Sequence, residues 1–226
     1  MVKVYEISQD SAYQTFYTDK GVGPKILSFG LLPEKWKVPK VYIIEPKLPK
    51  PNFFSFEGTD DIFVLDEVAL EHTWHIFSSS GQLFPFTFKE VVDQKKNHFA
   101  LFKATHCYDC LDEKKTVYER VNSISRYVFH PKRIHVDTPI FTIPQLNSAT
   151  LFAIEGIKDN QCEELKYCID KYKLTGLKLT EVWNDGVDTW ADNLDDEEVK
   201  ACLEYEQALM LMNKTKTQEM RGGRRK

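Results

Sequence analysis

The chain has 226 residues, 42% of them hydrophobic, with a formal net charge of -4 at pH 7, enough to bury one ordinary core or two small lobes. That charge balance gives no general attraction to nucleic acid or to an anionic lipid surface, both of which ask for clustered Lys and Arg. No run approaches the roughly 18 consecutive apolar residues of a membrane helix, and the opening "MVKVYEISQDSAYQ" has neither the basic start nor the apolar centre of a signal peptide. A cytoplasmic protein with no nucleic-acid or membrane partner is expected. The five cysteines, Cys107, Cys110, Cys162, Cys168 and Cys202, are an odd, sparse set rather than a disulfide framework, so reduced thiols are expected.

From Lys25 to Lys50 the sequence carries six lysines, two glutamates and four prolines. Proline removes a backbone donor and restrains the residue before it, which predicts extended connections around one short strand, "KVYIIE". "DDIFVLDEVALEHTWHIF" alternates apolar runs with acids. Within it "DEVALEHTWH" predicts a short helix with Val68, Leu70 and Trp74 facing inward, and "SSSG", Ser78 to Gly81, reads as a turn.

"HFALFKATHCYDCLD" predicts a strand feeding a turn. In "RYVFHPKRIHVDTPIFTIP" the period near two at Tyr127, Phe129, Ile134 and Val136 predicts two strands broken at His130-Pro131. The C-terminal third gives a strand from Leu151 to Ile154 and a helix opening after Asp159. Cys162, Leu165, Cys168, Ile169 and Tyr172 share one face of that helix. It is expected to stop at Gly176, the residue best able to take positive φ, before the strand "LKLTEVW". A further helix is predicted from Asp196 to Met212, with Asp195 and Glu198 at capping-box spacing. The tail "NKTKTQEMRGGRRK", six basic side chains to one acid, has the composition of disorder.

The fold class that follows is α+β, a mixed sheet with a few packed helices behind an extended, proline-rich N-terminal segment. The domain reading divides it into an extended, loop-rich part at 1–59, an α+β domain with an acidic C-terminal helix at 60–212, and a basic tail at 213–226.

One stretch suggests chemistry. In "ATHCYDCLDEKKTVYER", Cys107 and Cys110 stand in C-x-x-C spacing directly after His106. A tetrahedral zinc site needs four ligands, and no second C-x-x-C supplies the other half. A redox pair needs a thiol activated at a helix N-terminus, whereas the residues after Cys110 begin with acids that raise a thiol pKa. The remaining reading is a turn flanked by small, semi-buried cysteines. No nucleophile elbow, phosphate-binding glycine loop or H-E-x-x-H occurs, and acid pairs such as Asp60-Asp61 do not by themselves imply acid-base work.

The order Asp109-Cys110-Leu111-Asp112, a hydroxyl residue at Thr116, and later Leu151-Phe152, Leu174-Thr175-Gly176 and Leu179-Thr180-Glu181-Val182 resembles the bacterial polymorphic-toxin immunity family usually numbered eleven. The likeness runs from about Asp60 to Trp183. It departs from the family pattern at Thr116, usually Ser, and at Leu179, more often Phe. It implies that Asp109, Cys110 and Asp112 shape a turn, with Gly176 as a second structural position. It also implies a cytosolic protein that binds and inactivates a cognate toxin by occlusion, with no catalytic residues, metal or cofactor. Two alternatives stay open: a secretion-system adaptor for an effector, and a small metal-dependent enzyme using His106, Cys107, Cys110 and Asp112.

The stretch from Glu181 to Glu206 holds ten acids against the single base Lys200, a local net charge of -9. Acids suit a helix start, but large aromatics ringed by charge are also common interface anchors. On that ground Trp183, Asp185, Asp188, Trp190, Asp192, Asp195 and Asp196 are expected to contact the toxin, which would present a basic surface.

Overall fold

Where composition suggests only an extended lead-in, Lys3–Gln9 form a strand, β1, that lies inside a sheet. The computed structural model describes residues 1–18, 41–56, 59–86, 99–120, 123–130, 133–134, 137–146, 150–156 and 161–186. In chain order β1 is followed by β2 (Thr15–Thr18), β3 (Val41–Ile44), β4 (Phe53–Phe56), β5 (Thr59–Leu65), α1 (Glu67–Ser80), β6 (Gly81–Phe86) and β7 (Phe99–Ala104). Then come β8 (Val117–Arg120), β9 (Ser123–Arg126), β10 (Ile140–Phe141), β11 (Leu151–Glu155), α2 (Leu165–Tyr172) and β12 (Leu177–Asn184).

The architecture is α+β. A four-stranded antiparallel sheet runs β10-β11-β1-β12, and a six-stranded mixed sheet runs β3-β2-β4-β5-β7-β6, with β2 parallel to β4 at Phe16 and Phe56. Tyr5 of β1 stands opposite Ala153 on one side and Glu181 on the other. The N-terminal strand is thus gripped between two strands of the C-terminal third. β1 pairs with β11 and β12, and β4 with β5, across the boundary expected between residues 59 and 60.

Side-chain alternation along the strands builds three cores. The first joins the sheets to the helices: Ile7, Leu151, Ala153 and Leu177 meet Phe53, Phe63, Leu65 and Phe102, with Ala69, Ile76, Phe77, Leu165 and Cys168 from α1 and α2. The second lies on the other face of the four-stranded sheet, where Val4, Phe152, Ile154 and Trp183 pack on Cys110, Leu111, Phe129 and Ile143. The third gathers Phe16, Phe54, Phe56, Val64 and Leu101, which alternate with the first-core residues of the six-stranded sheet. The run "FFSF" of β4 is buried throughout because both of its faces are covered.

Several expected elements are present: the short strand of "KVYIIE" is β3, Leu151 to Ile154 lie in β11, and "LKLTEVW" is β12. Others are corrected. In α1 the buried residues are Ala69, Thr73, Ile76, Phe77 and Ser80, and Leu70 packs half-buried against the first core as expected, while Val68 and Trp74 are 45% and 55% exposed. The helix starts from Asp66, whose Oδ1 accepts from the Ala69 amide at 2.9 Å, and runs on through Ser80, so Ile76 and Phe77 set its buried face. Ser78 to Ser80 therefore belong to the helix, and Gly81 opens β6.

Tyr127, Phe129 and Ile134 are buried in the second core, but Phe129 joins the ladder only by a single bridge to Leu111. The C-terminal helix is ended by Lys173 in the left-handed conformation (φ 56°, ψ 38°), not by Gly176, and it is entered from Glu164. Asp159, Val136, the helix expected at Asp196–Met212 and the tail at 213–226 lie outside the described residues. Among the described residues, no helix is long and apolar enough to cross a membrane.

Candidate functional site

After β7 the chain turns back along β10. Tyr108 N donates to Thr142 O (2.9 Å), Thr142 N donates to His106 O (2.9 Å), and Cys107 bridges Thr142. The next residues meet the strand leaving β9: Asp112 N donates to Val128 O at 2.8 Å, and His130 N to Cys110 O at 2.7 Å. Asp112 closes the corner. Its carbonyl accepts from Lys115 N and Thr116 N at 3.1 and 2.8 Å, and its Oδ1 accepts from Lys114 N at 3.1 Å, the local side-chain bonding that makes Asp a turn former.

Asp109 Oδ1 accepts from Gln145 Nε2 at 2.9 Å. The buried Thr116 hydroxyl accepts from Val128 N (3.3 Å) and donates to Val128 O (3.4 Å), bonding both backbone groups of one residue across the turn.

One thiol of this segment is sealed in the core. Cys110 is fully buried, and burial, reinforced by the nearby Asp109 carboxylate, pushes its thiol up to about 12. Such a thiol stays protonated near neutrality and is a poor nucleophile or metal ligand. His106 Nδ1 lies 3.0 Å from the carbonyl of Ser80, so the ring is tethered to the end of α1. Cys110 and Cys168 form no disulfide, and burial pushes Cys168 to about 11. Among the described residues, no group of three or more His, Cys, Asp or Glu is placed to hold a metal ion.

The acidic stretch fares differently from expectation. Trp183 is 7% exposed and belongs to the second core, its ring 6.0 Å from that of Phe129. A β-bulge turns it inward: Tyr5 pairs with Glu181 but Val4 pairs with Trp183, leaving Val182 as the extra residue. Regular alternation would put Trp183 on the same face as Leu177 and Leu179; the inserted residue moves it to the other. Trp183 is therefore a packing residue, not an anchor. Asp185 is exposed but engaged, donating its amide to Val2 O at 3.0 Å and accepting Val2 N on Oδ1 at 2.8 Å, which fastens the start of β1 to the end of β12. Asp188, Trp190, Asp192, Asp195 and Asp196 lie outside the described residues.

The exposed aromatic surface that sequence reasoning missed is on the helices. Trp74 projects from α1, with Glu67, Val68 and Glu71 also exposed. On the flank of α1 facing α2, His72 stacks on Tyr172 (centroids 3.6 Å apart, 3° between planes), and Lys171 Nζ lies over the same tyrosine. Beside them a cleft of about 500 Å³ is lined by His75, Ile76, Ser79, Asp137, Pro139, Cys162 and Glu163, with His75 Nε2 donating to the Cys162 carbonyl at 2.9 Å. The helix register, 3.6 residues per turn, is the only sequence signal for this surface, and the choice of inward face hid it.

No protein-family model matches the chain, and no curated protein matches it.

Proposed function

We propose that this chain is a non-enzymatic binding protein of the cytoplasm that neutralises a protein toxin by occlusion, as the immunity family it resembles does. The observation that carries this reading is the commitment of the Asp109–Thr116 segment to structure. Asp109, Asp112 and Thr116 all bond within the fold, and the thiol of Cys110 is sealed and protonated. Of the residues a Cys/His enzyme would need, this supports structural work for Cys110, buried in the second core, and for Asp112, which closes a turn. The partner is a toxin domain with a basic surface; the acids of the stretch beyond β12 provide the steering charge and Trp190 an apolar anchor.

The test is to mix the purified chain with the C-terminal domain of the polypeptide encoded by the adjacent gene and to assay that domain's toxicity. The reading expects a stoichiometric complex and loss of toxic activity. A complex that leaves the activity intact would identify an adaptor instead, and saturating chain with neither complex nor inhibition would overturn the reading.

A further inference from the structure

We infer that Cys162 and Cys168 form a dithiol couple, a modification site at which hydrogen peroxide oxidises the chain to an intramolecular disulfide and shifts one wall of the cleft beside α1. The inference goes beyond the binding-protein reading and does not depend on it.

Cys162 is exposed in the short 3₁₀ turn Gln161–Glu163, whereas Cys168 is 1% exposed on the inner face of α2, in the first core. In an unbroken helix, residues six apart are separated by about 9 Å along the axis, beyond the roughly 4.4–6.8 Å between the Cα atoms of a disulfide. Here Glu164, with extended backbone (φ -108°, ψ 130°), interrupts the helical path. The thiol of Cys168 consequently donates to the carbonyl of Cys162 at 3.3 Å. The buried sulfur is thus aimed at the backbone of the exposed cysteine, and the two form no disulfide in this structure.

Burial fixes the order of events. Cys162 meets the oxidant first: its thiolate attacks one peroxide oxygen, the O–O bond breaks, and the other oxygen leaves as hydroxide to become water, giving a sulfenic acid. The sulfur of Cys168 then attacks the sulfenic sulfur; the S–S bond forms, the S–O bond breaks, and that oxygen leaves as a second water with the Cys168 proton. Two thiols give up two electrons and two protons, and one peroxide becomes two waters. Burial, reinforced by the nearby Cys162 thiolate, pushes the Cys168 thiol up to about 11 and protects it from direct oxidation. Once Cys162 is a neutral sulfenic acid, the thiolate's share of that rise is gone. Such a transient, reducible disulfide is the kind that cytosolic proteins use for sensing.

The readout is the cleft. The Cys162 carbonyl that accepts from Cys168 also accepts from His75 Nε2 at 2.9 Å, and Cys162, His75 and Glu163 all line the cleft. Closing the disulfide removes the S–H donor from that carbonyl and draws Cys162 toward α2, away from His75.

The test treats the full chain with hydrogen peroxide, blocks remaining thiols with iodoacetamide and digests with trypsin, which cuts after Lys158, Lys166 and Lys171 and so places the two cysteines on separate peptides. The wild-type chain should give peptides 159–166 and 167–171 joined by a disulfide, remain a single chain on non-reducing electrophoresis, and recover both thiols in dithiothreitol. Cys162→Ser, at an exposed position, should leave Cys168 fully alkylated. Cys168→Ala should stop at a sulfenic acid that dimedone traps on Cys162. The His75 imidazole signal in NMR spectra should move on oxidation and return on reduction. Cys162 oxidised while Cys168 stays alkylated, a disulfide to a second chain, or two unreacted thiols would each overturn the couple. A joined pair with an unmoved His75 signal would overturn its effect on the cleft.

Discussion

The proton on Cys110 links one residue to the stability of the whole. Burial raises its pKa to about 12 in the folded protein, against about 8.5 for an unperturbed thiol. Above the unfolded value the unfolded chain releases the proton while the folded chain keeps it, so stability falls as pH rises. The contribution is fully present below about pH 8.5 and is lost progressively up to about 12. Tyr5 and Tyr127 act in the same direction: burial, together with the Glu155 and Glu6 carboxylates respectively, raises both phenols above their ordinary value. Alkaline denaturation should therefore be steep, and Cys110→Ala should make the decline between pH 9 and pH 11 shallower in urea titrations. An identical pH profile for that variant would mean that the thiol is not sealed in the folded state.

At the scale of elements, Gly176 shows how a correct residue can be given the wrong task. It has φ 102° at the entry to β12, and a Cβ there would overlap the Phe53 carbonyl oxygen of β4. The adjoining Thr175 carbonyl accepts from both Asn52 N and Phe53 N, so the two sheets are pinned together where a side chain cannot fit. Gly176→Ala should lower stability by about 2 kcal/mol or more through the strained φ and the clash, measured as a shift in denaturant midpoint. An unshifted midpoint would show that the β4–β12 junction is looser than described.

The sequence marks Gly176 as unusual but gives no sign that Lys173 ends α2 in a left-handed conformation that L-residues seldom adopt. Strands β3, β11 and β12 are readable because their apolar runs stand between turn formers. β1 is not, because it lies between β11 and β12 with Val4 and Ile7 facing different cores, so no one-sided alternation appears. The face of α1 is misread because Val68 and Trp74 outrank Ala69 and Thr73 in hydrophobicity, although Ile76 and Phe77 decide which side is buried.

Over the whole molecule, the first core draws on both sheets and both helices and ties residues near each end of the described chain into one packed body. The part played by Asp112 is readable from sequence, because its carboxylate bonds the Lys114 amide two residues on; Asp109 and Thr116 bond Gln145 and Val128, far along the chain, and those contacts are not. The exposure of the tryptophans is not, because long-range register decides which of them meets water: a bulge turns Trp183 inward, and the packing of α1 turns Trp74 outward. The central proposal is that the His106–Asp112 segment is scaffold and that the chain acts through a binding surface. The most direct measurement is calorimetric titration of a Cys107→Ser, Cys110→Ala variant with the C-terminal domain of the polypeptide encoded by the adjacent gene, the toxin of the proposal, alongside metal analysis of variant and wild type. The account predicts an affinity and stoichiometry equal to those of the wild-type chain, with no bound zinc in either. Stoichiometric zinc in the wild type that disappears in the variant, together with loss of function, would contradict it.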